Sequence, residues 1–217
     1  MEKEPLGLLE VRIHVPVELE EELNAWYELE HIPQLLSVPG IVSATRYSEL
    51  EHGTKMYRAF YELRDEQVIL SEEFNRLITK RTPWSTRLYA LYDNQYRLRN
   101  TYRLLATAGK GSHYSARCLY CFKADVAPEV EQDFNDWYDK EHLEAMAGVP
   151  GCVSARRFVS VEGQQKYMAL YDLESPDVVN SEAWQKAANT SWTAKIRPHF
   201  RNPAKGYYEL IRPMVSA

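Results

Sequence analysis

The chain has 217 residues, 45% hydrophobic and 12% aromatic, which is enough apolar surface for a substantial core in one large domain or two small ones. A formal net charge of −5, with lysine and arginine spread rather than clustered, speaks against nucleic acid or an anionic membrane surface as partner. No apolar run approaches the roughly 18 residues of a membrane span, and the opening Met1-Glu2-Lys3-Glu4-Pro5 lacks the basic and apolar regions of a secretion signal, so a cytoplasmic location is expected.

Leu8 to Val15 alternates apolar and polar residues, the period of a half-buried strand. Pro16 then opens a helix whose first turns carry Glu18, Glu20, Glu21 and Glu22, where the helix dipole favours negative charge. Leu19, Leu23 and Trp26 form an inner stripe that Glu30 extends, and Pro33 ends the helix or begins a new turn. Val38-Pro39-Gly40 is turn chemistry, Ile41 to Tyr47 a second strand, Glu51-His52-Gly53 a hairpin turn, and Met56 to Leu63 a third strand. A second helix is expected over about Asp65 to Thr79, a short helical piece over Trp84 to Leu91, and a fourth strand near Asn100 to Leu105.

The same order then begins again. Trp26, Tyr27, Glu30, His31, Val38-Pro39-Gly40 and Arg46 recur 111 positions on as Trp137, Tyr138, Glu141, His142, Val149-Pro150-Gly151 and Arg157. Tyr57 to Leu63 is answered by Tyr167 to Leu173, and Thr82-Pro83-Trp84 by Thr190-Ser191-Trp192. Two ungapped copies of such a motif predict a tandem duplication. The units expected are residues 1–107 and 114–217, joined by a linker over 108–113. Each unit has the order βαββαβ, a four-stranded antiparallel sheet with both helices on one face, and the second copy would cover the other face.

Tyr27 and His31 are four apart and share a helix face, as do Tyr138 and His142, so each pair is a candidate acid/base couple. Glu30 and Glu141 point away from the adjacent histidines in a regular helix; they line a substrate site or bond backbone amides near the Val-Pro-Gly turns. Trp26 and Trp137 belong to the core stripe, whereas Trp84 and Trp192 are core or pocket wall. Arg46 and Arg157, ending the second strand of each copy, could hold a carboxylate or enolate oxygen or pair with a nearby glutamate. His14 has Asp125 as its counterpart in the second copy, so its role, ligand binding included, is not shared between copies; Arg12 and Lys123 keep a cation on either strand. Cys118 and Cys121 have CxxC spacing but sit in an expected strand, three apart and on opposite faces, with no second ligand pair, so no metal site is expected.

These residues together resemble the dimeric α/β-barrel superfamily, and within it the EthD-like proteins. The resemblance rests on the WYxxEH helix end, the Val-Pro-Gly turn and the YxAxYxL strand, each present twice. It implies an α+β fold, two ferredoxin-like units forming an intrachain pseudo-dimeric barrel, with room for two chains to associate further. It also implies a pocket between the sheet and the helices of each unit, with a histidine at the end of the first helix as its recurrent polar group. Members catalyse varied reactions, so the fold is better specified than the chemistry. The expectation is a cofactor-free enzyme acting on a small aromatic, polyketide-like or lactone substrate by proton transfer, as an isomerase, lyase or cyclase. The alternatives are a monooxygenase of the same superfamily, cofactor-free or haem-dependent, and a binding protein without catalysis. Nothing here has a nucleotide-binding loop, a dinucleotide fingerprint or an HExxH pair.

Overall fold

The structure is a computed structural model that describes residues 5–51, 54–91, 97–109, 111 and 113–216. His52 and Gly53 of the expected hairpin turn, Met1 to Glu4 of the opening segment, and Lys110 and Ser112 of the expected linker lie outside them. The chain forms two compact units, one of residues Met1–Arg103 with Ile211–Ala217, the other of Leu104–Leu210.

In the first unit β1 (Gly7–Ile13) leads into α1 (Glu20–Trp26), a π-helical turn (Tyr27–His31) and α2 (Ile32–Leu36). Then come β2 (Ile41–Glu51), β3 (Thr54–Leu63), α3 (Glu72–Thr79), α4 (Pro83–Leu91) and β4 (Leu98–Ala108). β1 lies between β3 and β4, and β2 pairs with β3, all antiparallel. The second unit repeats the order: β5 (Cys118–Val126), α5 (Glu131–Trp137), a π-helical turn (Tyr138–His142), α6 (Leu143–Ala147), β6 (Cys152–Glu162), β7 (Tyr167–Leu173), α7 (Glu182–Ala188), α8 (Ser191–Ile196) and β8 (Phe200–Ser216). β5 lies between β7 and β8, and β6 pairs with β7. The hydrogen-bonded order β1-β3-β2-β8-β5-β7-β6-β4 closes on itself as an antiparallel barrel, giving the α+β class expected.

Two local features refine the sequence reading. Of the two outcomes open at Pro33, the structure shows the second: proline begins a new turn, in an early position of α2 directly after the π turn. β1 and β7 are more deeply buried than a half-solvated strand. In β1 Leu8, Leu9 and Glu10 are all buried, and every residue of β7 is. Glu10 is tolerated there because Arg58 pairs with it, and Arg58 also reaches Glu49.

The Val-Pro-Gly turns have a clear physical basis. Gly40 has φ +98°, and a Cβ there would lie 2.7 Å from the Val68 methyl; Gly151 has φ +85°, with 2.6 Å to the Val178 methyl. Both the left-handed backbone and the close approach demand glycine. A register shift follows each turn, at Ile41/Ser43 and Cys152/Ser154. Buried Ser43 donates to Glu62 at 2.7 Å, as Ser154 does to Asp172.

Candidate functional site

The π turn decides which side chains reach the sheet. With α-helical spacing, the stripe of Leu23 and Trp26 would continue to Glu30. The turn closes instead with an i→i+5 bond, Ile32 N–H to Tyr27 carbonyl, repeated by Leu143 N–H to Tyr138. The extra residue rotates the inner face by one position, so Tyr27, His31, Ile32 and Leu35 are buried while Leu29 is 75% exposed. It also places residues five apart above one another: the imidazole of His31 stacks on the Trp26 indole at 4.1 Å and 16°, and His142 on Trp137 at 4.1 Å and 25°.

Each histidine then meets two phenols edge to face. Tyr27 lies 5.4 Å and Tyr61 6.3 Å from His31; Tyr138 lies 5.1 Å and Tyr171 6.5 Å from His142. Tyr61 and Tyr171 look like ordinary strand residues in the sequence, and only their matched places in the two YxAxYxL strands could have singled them out. Each tetrad of Trp, Tyr, His and Tyr lines a cavity within its own unit, of about 180 Å³ in the first and 290 Å³ in the second. The second has an aromatic wall of Tyr120, Phe122, Trp184 and Phe200, whereas the first has Leu9, Val11 and Phe74.

Burial controls protonation. Removal from water, with the Arg46 guanidinium adding to it, pulls His31 down to about 3; burial, then Arg197 and Arg157, does the same for His142. Both imidazoles are therefore neutral at ordinary pH, and a proton on either is stabilised only when a negative charge forms beside it. Nδ1 of His142 is buried with no hydrogen-bond partner. Burial raises Tyr27 and Tyr138 to about 12, so both phenols keep their protons.

Other expected site residues are placed elsewhere. Glu30 does not bond backbone near the turn; its Oε1 accepts from Trp26 Nε1 (3.0 Å), Thr82 Oγ1 (2.6 Å) and Ser85 Oγ (2.8 Å), tying the π turn to the start of α4. Glu141 accepts from Thr190 Oγ1 at 2.6 Å. Arg46 and Arg157 are neither exposed nor strand-terminal. Each is 2% exposed behind the first tyrosine of its tetrad, 3.9 Å from the Tyr27 ring centre and 4.4 Å from that of Tyr138. Arg46 donates to Asn24, and Arg157 to Asn135 and Asp139, and neither lines either of these two cavities. A planar guanidinium suits that stacked position, so they support the site from behind.

Trp84 and Trp192 stand outside both linings; their indole N–H groups donate to Glu22 and Asp133, fastening α4 to α1 and α8 to α5. His14 holds the end of β1 to the start of β3 by donating from Nδ1 to the Lys55 carbonyl. Asp125 performs the mirrored task by accepting from the Lys166 N–H. Among the described residues no group of three or more His, Cys, Asp or Glu is placed to hold a metal, and no helix is long and apolar enough to cross a membrane.

No family profile and no curated protein matches the chain by sequence. Its fold is shared by solved structures. A provisionally assigned monooxygenase of Fusobacterium nucleatum superposes with a TM-score of 0.67 at 8% identity, over 99% of either chain. An anthrone oxidase-like protein gives 0.66 at 14% identity, over 100% of this chain and 94% of that one. A Listeria monocytogenes ferredoxin-fold protein related to antibiotic biosynthesis monooxygenases gives 0.51 at 9%, over 96% of each. At these identities the likeness establishes the ferredoxin-like barrel architecture.

Proposed function

We propose that this protein is a cofactor-free oxygenase of the ferredoxin-like barrel type, acting on a phenolic or polyketide-like aromatic compound. The single observation that carries the reading is a neutral imidazole, buried and stacked on tryptophan, in the wall of an aromatic cavity in each unit. The names of the structural neighbours favour oxygen chemistry over an isomerase, lyase or cyclase, although proton abstraction begins all of them. The repeated tetrad further supports a tandem duplication with EthD-like ancestry and two related sites in one chain.

The residues suit a carbon acid such as an anthrone. The imidazole removes a proton from the ring methylene, and the electron pair left behind passes to dioxygen. The resulting peroxide loses water to leave the quinone, so anthrone and O₂ give anthraquinone and H₂O. His31 or His142 supplies the base, and the paired phenols can donate to the enolate oxygen. An apolar cavity strengthens those hydrogen bonds and leaves the carbanion no competing water.

The test is oxygen uptake with anthrone. The double variant His31→Ala/His142→Ala should lose at least about 100-fold in rate, the usual contribution of a positioned base. Unchanged uptake in that variant would overturn the proposal. Deuterium exchange at the methylene without oxygen uptake would favour the isomerase, lyase or cyclase reading instead.

A further inference from the structure

The two cavities share their tetrads but not their mouths. In the first, Arg81, Arg97 and Arg99 line the cavity together with Tyr89. Arg81 lies 4.2 Å and Arg97 5.7 Å from the centre of the Tyr89 ring, while Arg99 lies 6.0 Å from that of Phe74. Among the described residues neither Arg81 nor Arg97 has a carboxylate partner. The second cavity has Arg197 where the first has Tyr89 and is also lined by Lys205, and the Arg197 guanidinium is already bonded to the Ala188 carbonyl and Asn189 Oδ1. Arg81 and Arg97 are exposed at the mouth, where water screens their mutual repulsion, and an anionic head entering the cavity would meet both guanidiniums. The wall behind them, Leu9, Val11, Phe74 and Ile78, offers no polar atom to a ligand.

We propose that the first cavity is a binding site for an organic carboxylate, its apolar body against Leu9, Val11 and Phe74 and its anionic head at Arg81, Arg97 and Arg99. The acid is assigned to the first unit because three arginines line its cavity, whereas the second has Lys205 and an Arg197 that is already bonded. This rests on the first cavity being a ligand site, and on no catalytic step.

Hexanoate and hexanamide, equal in shape and differing in charge, are the probes, and calorimetric titration of the full chain is the readout. Wild type should bind hexanoate at least about tenfold more tightly than the amide, as charge-assisted bonds to guanidinium are stronger than neutral ones. Arg81→Gln/Arg97→Gln should bring the two affinities within about twofold. Arg103→Gln, an exposed arginine of β4 outside the lining, should leave the preference intact. Equal binding of both probes by wild type, or a preference that survives the double variant or vanishes in Arg103→Gln, would overturn the assignment. Since binding is measured without turnover, failure of the oxygenase reading leaves this result readable.

Discussion

His142 is 7% exposed between Trp137 and Tyr171, and the charges that act on it are the guanidiniums of Arg197 and Arg157. A proton there is disfavoured in the folded chain, as it is on His31. Unfolded, both imidazoles titrate near 6.5, so between about pH 6.5 and 3 the unfolded chain binds protons that the folded chain refuses. Stability should therefore fall as pH falls through that window, by up to a few kcal/mol per imidazole at about 1.4 kcal/mol per unit. In urea melts across this range, His31→Asn/His142→Asn should show a flatter dependence than wild type. At the same scale, Gly40→Ala and Gly151→Ala should each destabilise by about 1–3 kcal/mol, read from the urea midpoint, because alanine meets both a positive φ and a valine methyl. Val-Pro-Gly is legible in sequence as a turn. That Val68 or Val178 fills the space beside its glycine is not, because the contact joins residues 28 and 27 positions apart.

The first helix of each unit is where sequence periodicity and structure part. In the first unit the expected strands and helices exist, but the helix expected over Asp65 to Thr79 is a 3-10 turn over Glu66–Leu70 followed by α3. The π turn was hidden because a 3.6-residue template counts Glu30 inward and His31 outward. The five-residue spacing of Trp26 to His31, kept in Trp137 to His142, is the signal that an i→i+5 turn leaves behind. Deleting Leu29, whose side chain is 75% exposed, should restore α-helical closure and leave His31 on the Trp26 face, now four residues along the helix. Far-UV circular dichroism should show the helix retained, and hexanoate affinity should stay within about twofold of wild type. Glu30→Gln acts on the same element by weakening the bonds that fasten the π turn to α4. A loss of about 1–3 kcal/mol in a urea melt is expected for that partly buried carboxylate.

Across the whole molecule, the repeated spacing made the α+β barrel readable before any coordinate, since two copies of one motif with one element order admit few architectures. The same constancy hid what distinguishes the sites. Leu9 corresponds to Tyr120, Val11 to Phe122 and Phe74 to Trp184, and these walls, rather than the tetrads, set what each cavity accepts. Trp184→Leu should therefore weaken binding of a fused-ring aromatic such as anthrone by about tenfold while leaving hexanoate affinity unchanged, measured by parallel titrations. The indole that touches each imidazole at 4.1 Å also gives the protein an intrinsic optical probe. A guest that disturbs either stack changes the emission of Trp26 or Trp137, so replacing the other four tryptophans in turn yields a fluorescence signal for each chamber without any attached dye.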